Sequence, residues 1–319
     1  MAGQSKKYFI LLLILIFNLA FKQMQRRFIF LFNPRAGVQT GKPLQQLISK
    51  RCAAAAVPFS IEHSRADADY SSLREKIIAD TVTDVVIAGG DGTISTIIAA
   101  IRDLQVNIGI IPRGSGNGLA FSAGIPKEPT KALDIIFNGT AQPVDAFLIN
   151  KQFSCMLSGI GFDAQVAHDF DRQEKRGFWK YAQLILKNLA GIKTYAFNLK
   201  ANDIDLNIDA YFISIANSNQ FGNRFTIAPK ASLQDGMLDI VAVEKTNLFF
   251  VLLRVLWHIR FGTFTNDFRK RKGITYFQTD RLLIENRESA PFHIDGDGKQ
   301  TAATFEIQII PAAYSLLMP

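Results

Sequence analysis

Apolar and polar positions divide the chain into two textures. From Phe28 to Pro112, continuous apolar runs alternate with segments of helical period. Phe28-Ile29-Phe30-Leu31-Phe32, Asp84-Val85-Val86-Ile87-Ala88 and Asn107-Ile108-Gly109-Ile110-Ile111-Pro112 show little polar alternation, the signature of strands covered on both faces. Pro58-Phe59-Ser60-Ile61-Glu62 is a further strand. Between them, Leu44, Leu47, Ile48, Arg51 and Cys52 keep a 3.6-residue register after Pro43, and Asp69–Ala79 reads as a second helix. Ile94, Ile97, Ile98, Ile101 and Leu104 mark one face of a third. Strands alternating with helices predict a right-handed parallel α/β sheet with ligands at the carboxyl ends of its strands.

From about Val144 the period becomes two. Val144–Ile149, Phe153–Ser158, Tyr195–Ala201, Leu206–Ala216, Gly236–Val243, Gly273–Phe277, Arg281–Glu285 and Thr304–Ile310 read as strands, many alternating as in Asp205-Leu206-Asn207-Ile208-Asp209-Ala210-Tyr211. Helical insertions are expected at about Asp169–Ile192 and Asn247–Phe261. The predicted fold class is α/β plus all-β: a parallel α/β domain over 24–143, then an antiparallel β-sandwich over 144–319 whose C-terminal end can return to the first domain.

The third strand and its helix are joined by Gly89-Gly90-Asp91-Gly92-Thr93 alone. Three glycines let backbone N–H groups approach a ligand, and the helix start adds partial positive charge, so the segment can cradle phosphate. A carboxylate there would repel bare phosphate. Asp91 therefore points either to a phosphate with its Mg²⁺ or to a proton taken from a hydroxyl. The plainer alternative is a tight turn with a solvated Asp. Gly41-Lys42 does not make a P-loop, because Gly37 is one residue too close and Pro43 stands where Ser or Thr must meet magnesium.

Composition narrows the partners. The 319 residues are 48% hydrophobic and 20% charged, enough for two domains with an ordinary core. Net charge of +8 and a pI near 9.4 favour polyanions: nucleotide phosphates, an anionic membrane surface or nucleic acid. No nucleic-acid module or suitable basic helix is present, so a membrane surface is preferred over nucleic acid. Lys175-Arg176-Gly177-Phe178-Trp179-Lys180-Tyr181 and Asn247–Phe268 with Arg269-Lys270-Arg271-Lys272 could dip into such a surface, or could simply pack on the sandwich with solvated charges. Cys52 and Cys155 suggest no disulfide framework, consistent with a reducing cytoplasm, and His63, His168, His258 and His293 lack zinc-ligand spacing.

Residues 1–23 form a hydrophobic leader, with Lys6 and Lys7 before the apolar run Tyr8–Phe21. It is short for a membrane span. An export signal, a membrane-associated helix and a native start at Met24 compete, and the last is favoured because Met24-Gln25-Arg26-Arg27 leads straight into the first strand.

Several motifs together resemble the superfamily of diacylglycerol, sphingosine and NAD kinases, from about Arg26 to the C-terminus. They are Asn33-Pro34-Arg35-Ala36-Gly37, Gly89-Gly90-Asp91-Gly92-Thr93 and Pro112-Arg113-Gly114-Ser115-Gly116-Asn117-Gly118-Leu119-Ala120. The last is similar to the lipid-kinase form of a second glycine loop. The resemblance implies an ATP- and Mg²⁺-dependent kinase acting on a lipid hydroxyl at a cytoplasmic membrane face. Nucleotide contacts would then come from Asn33, Gly37, Gly89, Gly90, Asp91, Gly92, Thr93, Gly114, Ser115, Gly116 and Asn117, although Ser115 or Asn117 could merely cap a helix. Asp235-Gly236-Met237-Leu238-Asp239 resembles a segment that helps hold a structural magnesium, which makes Asp235 and Asp239 candidate ligands, and also reads as a β-turn. His293-Ile294-Asp295-Gly296-Asp297-Gly298 lines up with an Asp-Gly-Glu motif, with Asp297 in place of Glu. Asp297 is thus the first candidate base and Asp91 the second, although Asp-Gly is equally a hairpin dipeptide. Gly159-Ile160-Gly161-Phe162-Asp163-Ala164 resembles a segment lining the lipid side of the cleft, where Asp163 would orient the acceptor hydroxyl. It lacks the following acid-ended strand of a dinucleotide fingerprint, which disfavours an oxidoreductase. A soluble acceptor such as NAD, or a non-catalytic nucleotide or lipid sensor, are the remaining alternatives.

Overall fold

The computed structural model describes residues 26–33, 41–65, 68–171, 178–189, 191–222, 225, 226, 228, 230–246 and 273–319. The N-terminal half contains β1 (Phe28–Phe32), α1 (Gly41–Ala54), β2 (Phe59–His63), α2 (Ser71–Ala79), β3 (Asp84–Gly89), α3 (Asp91–Ile101), β4 (Asn107–Pro112), α4 (Gly118–Ser122) and α5 (Pro129–Asn138). β2, β1, β3 and β4 pair in parallel, with Phe28 opposite both Phe59 and Asp84, and Asp84 opposite Asn107. The uninterrupted apolar runs have the reason expected of them. Ile29, Leu31, Val85 and Ile87 face a core shared with α2 and α3, whereas Phe28, Phe30, Val86 and Ala88 face α1 and α5.

β5 (Thr140–Ile149) turns the chain into the second half, followed by β6 (Gln152–Ser154), β7 (Leu157–Gly161), α6 (Phe162–Asp171), α7 (Phe178–Leu189), β8 (Tyr195–Ala201) and β9 (Ile204–Ala216). The short hairpin β10 (Gln220–Gly222) and β11 (Phe225–Thr226) precedes β12 (Leu238–Glu244), β13 (Ile274–Thr279), β14 (Arg281–Asn286), β15 (Phe292–Ile294), β16 (Asp297–Lys299) and β17 (Thr304–Met318). Within the C-terminal half, all pairings among the described residues are antiparallel. Its core gathers Phe147, Phe197, Phe292 and Phe305, the last two with ring centroids 4.7 Å apart.

The halves are not separate sheets. β17 pairs antiparallel with β14 and β5 and then lies parallel to β4, which joins the described strands other than β10 and β11 into one sheet. β17 thus runs eight residues past the expected end at Ile310. A register shift between Ile310 and Tyr314, with Ala312 at φ +48°, breaks the period-two pattern at that point.

Other boundaries also differ. α3 begins at Asp91, so the expected loop is already helical there. The insertion expected over Asp169–Ile192 is two helices, α6 and α7. α5 was not expected, despite Pro129 at its first position and buried Ala132, Leu133, Ile136 and Phe137. The leader 1–23 and the segments Asn247–Phe261 and Arg269–Lys272 lie outside the described residues, as do residues 175–177 and the side chains of 178–181.

Candidate functional site

The carboxyl ends of β1, β3 and β4 bring the two glycine segments together. A Cβ on Gly90 would stand 3.0 Å from the Gly114 Cα, and one on Gly114 would stand 2.7 Å from the Gly90 Cα. These backbones touch because neither residue has a side chain. Arg113 N donates to Gly89 O at 2.9 Å, continuing the β3–β4 ladder into the contact. Gly114 is held by Asn117, whose Oδ1 accepts from Gly114 N at 2.7 Å and whose Nδ2 donates to Gly114 O at 2.9 Å. Asn117 is 1% exposed and left-handed at φ +56°. Its amide therefore shapes the loop, and it makes no side-chain cap on α4. Ser115 is exposed at the loop tip. On the other side, Asn33 Nδ2 donates to Thr93 Oγ1 at 2.7 Å, while the Thr93 Cβ stands 3.0 Å from the Cβ position of Gly89. Gly37 lies outside the described residues.

Asp91 opens α3 and is partly buried. Its Oδ1 is buried with no hydrogen-bond partner. Burial pushes its carboxyl up to about 6 against the pull of the Gly118 and Leu119 N–H groups, and the nearby Asp295 carboxylate adds to the rise. A freely solvated turn Asp does not fit a carboxylate with one oxygen shut off from solvent.

Asp297 arrives from the other half of the chain. Asp295 and Gly296, at φ +48° and +88°, make a two-residue turn between β15 and β16, so the hairpin reading of Asp-Gly holds. The same turn brings Asp297 to the start of α3. Its two carboxylate oxygens lie 3.7 Å from the Cβ position of Gly92, in the first turn of α3. The motif and the hairpin are one object.

Asp163 is buried at the start of α6. It is 7% exposed, with Oδ1 accepting from Ala164 N at 2.8 Å and Oδ2 3.4 Å from His293 Nε2. Gly296 N donates to His293 Nδ1 at 3.2 Å, which assigns the imidazole proton to Nε2, facing Asp163. A Cβ at Gly159 would fall 1.8 Å from Asp163 Oδ2, so glycine is required beneath the pair. Among its described contacts, Asp163 reaches the site through His293 and the Asp297 turn.

Asp235 and Asp239 lie near enough that the Asp235 charge helps raise the Asp239 carboxyl, and each also accepts hydrogen bonds from the chain. Asp239 is fully buried, accepting from Tyr276 Oη and from Gln278 Nε2 at 3.3 Å, and burial raises its carboxyl. Asp235 is exposed and its Oδ1 accepts from Met237 N at 3.1 Å. Nearby Asp145 is occupied too, by Gly236 N and Ala312 N, each at 2.8 Å. Among the described residues no three His, Cys, Asp or Glu side chains form a metal-binding group.

Sequence reasoning missed Asp295, which accepts hydrogen bonds from three backbone N–H groups and two hydroxyls. Its position beside a turn Gly and between two motif residues gave no separate signal.

The family described as the diacylglycerol kinase catalytic domain matches residues 27–149, and the YegS C-terminal NAD kinase beta sandwich-like domain matches residues 157–318. The chain belongs to this diacylglycerol kinase family. It is 27% identical over 259 residues to the "Probable lipid kinase YegS-like" of Shewanella frigidimarina, covering 79% of this chain and 82% of that one. Identity to the diacylglycerol kinase of Bacillus subtilis is 24% over 277 residues, covering 84% and 88%. The fold is shared with a crystal structure of a diacylglycerol kinase from Bacillus anthracis, at TM-score 0.70 and 19% identity, over 92% of this chain and 97% of that one. As a member of this family the chain is a phosphotransferase, with parallel strands leading into a sandwich-like second domain. Among the described residues no helix is long and apolar enough to cross a membrane.

Proposed function

We propose that this kinase transfers the γ-phosphoryl group of ATP, with Mg²⁺, to a hydroxyl of a diacylglycerol-like or long-chain-base-like lipid. The observation that carries the reading is the meeting of three parts at the start of α3: touching glycine backbones, a buried carboxylate oxygen without a partner, and Asp297 across Gly92. The donor set fits both absent groups. Backbone N–H groups of Gly89–Thr93 and Gly114–Asn117, with the Ser115 hydroxyl, would hold phosphates, and the unpartnered Asp91 oxygen suits a divalent cation. Bound Mg²⁺ would neutralise charge on the transferring phosphoryl group.

The chain's own residues do the rest. Asn33 fixes Thr93 and the first turn of α3, and Asn117 fixes Gly114, so the cradle is preorganised. Asp297 takes the proton of the acceptor hydroxyl as its oxygen bonds to phosphorus and ADP leaves. The relatives' names support a lipid acceptor, and a net charge of +8 suits an anionic membrane surface reached peripherally from the cytoplasm.

Incubation with labelled ATP and either a lipid extract or NAD tests the reading: label in the organic phase is expected. Asp297→Asn should cut turnover by about 10²–10⁴-fold while ATP still binds. Label in NAD alone, or full activity of Asp297→Asn, would overturn it.

A further inference from the structure

The turn that presents Asp297 is held more firmly than its hairpin requires. Asp295 Oδ1 accepts from Ser154 Oγ at 2.7 Å and from Met156 N and Leu157 N, each at 3.1 Å. Oδ2 accepts from Cys155 N at 3.2 Å and from Ser95 Oγ. Asp295 N completes the mooring by donating to Leu157 O at 2.8 Å. Cys155 Sγ lies 4.0 Å from Oδ2. Four of the five N–H and O–H donors to the carboxylate lie from the last residue of β6 to the first of β7, in the same half of the chain as the turn. Ser95 does not. It lies on α3, one helical turn beyond Asp91, and is 8% exposed.

We propose that Ser95 and Asp295 are positioning residues, whose hydrogen bond sets the Asp297 carboxylate at a fixed distance from the glycine cradle at the start of α3. This inference rests on the reading of Asp297 as the proton acceptor. The four local donors already satisfy the carboxylate as a fold element, so the Ser95 bond adds little to the folding of either half. It is also the bond that ties the Asp297 turn to α3, the helix that opens on the glycine cradle. Small displacements of a reacting group cost large factors in rate. β17 also joins the halves, but through the sheet, by pairing its Ser315 and Leu316 with Asn107 and Ile108 at the start of β4.

The test is a double-mutant cycle in the full chain. Ser95→Ala removes the bond and leaves Asp295 its four other donors. It should lower kcat by about tenfold or more, with KM for ATP and the thermal midpoint near those of the parent. Ser95→Thr, which keeps a hydroxyl, should recover most of the loss. In an Asp297→Asn background, Ser95→Ala should cost nothing further, because the bond acts through a group no longer present. Unchanged kcat, a loss that persists in full in that background, or a loss matched by a lower thermal midpoint would each overturn the inference. An inactive parent protein would instead overturn the kinase reading on which it rests.

Discussion

Asp84 opens β3 and Asp91 stands two residues beyond its end, yet the fold treats these two carboxylates, one fully and one partly buried, in opposite ways. Around Asp84 the lone pairs are filled. Arg26 donates through Nη2 to Oδ1 at 2.7 Å and through Nε to Oδ2 at 3.0 Å, with Asn107 Nδ2 at 3.1 Å and Thr83 Oγ1 at 2.6 Å. The same guanidinium donates to Ile136 O at 2.9 Å and Phe137 O at 3.1 Å, so it also serves carbonyls at the end of α5. Around Asp91 one oxygen is left without a partner and the carboxyl is pushed up to about 6. A buried carboxylate stabilises a fold when its acceptor sites are filled by the chain; one left short fits a place where something else must bind. The amino end of the strand is filled by the chain itself, and the carboxyl end is the one proposed to react.

Breaking the reactive end should have the largest effect. Asp91→Asn is expected to reduce phosphoryl transfer by about 10³-fold or more, since it removes the charge proposed to face the metal and phosphates. Its stability should move the other way. A carboxyl raised from its ordinary value to about 6 binds its proton more tightly in the folded chain. That contribution is fully present below about pH 4 and is lost as pH rises through about 6, on the order of 2–3 kcal/mol. Urea melts of Asp91→Asn should therefore show a flatter pH dependence across that window and higher relative stability near neutrality. An equal slope in both proteins would show that burial of Asp91 is not its origin.

The structural end should respond in the opposite sense. Arg26→Ala leaves Asp84 fully buried and short of its strongest partner, which costs about 3–5 kcal/mol. Chemical denaturation should register that loss, while the kcat of the remaining folded protein stays near that of the parent. A large kcat defect in folded Arg26→Ala would erase the distinction between the two ends.

The parallel half and the glycine cradle were legible in the sequence because their signals are local: continuous apolar runs, a helical stripe, and glycines at a strand end. Arg26 was not legible as the partner of Asp84, since 58 residues separate them and an arginine before a strand has no period to betray it. Asp295 was hidden for a related reason. A turn Asp looks the same whether its carboxylate meets water or three backbone N–H groups. The end of β17 was missed because its bulge breaks alternation, and β16 because three residues are too few to show any. Asp163 was placed on the substrate side by resemblance alone, and only the fold shows His293 and Gly159 closing around it.

A sharper probe of the reactive end leaves its charges alone. Gly114→Ala puts a methyl 2.7 Å from the Gly90 Cα and 3.0 Å from Asn117 Oδ1, so the two glycine segments must part. Backbone donors displaced by a few tenths of an ångström lose phosphate contacts shared by ground and transition states. KM for ATP should therefore rise by about tenfold with a smaller change in kcat. A fall in kcat at constant KM would place this contact in the transfer step itself.

The gentlest change tests how far the structural end extends. Asn107 donates to Asp84 through Nδ2, and its Oδ1 accepts from Ser315 Oγ at 3.1 Å on β17, where the C-terminal strand lies parallel to β4. The filled shell of Asp84 thus reaches the last strand of the chain. Ser315→Ala removes one hydrogen bond and should cost about 1 kcal/mol in urea, without altering turnover. In an Arg26→Ala background the same substitution should cost measurably less, because Asn107 is then free to follow the unpaired Asp84. Strict additivity would mean that β17 is fastened by its backbone ladder alone, and that the filled shell ends at Asn107.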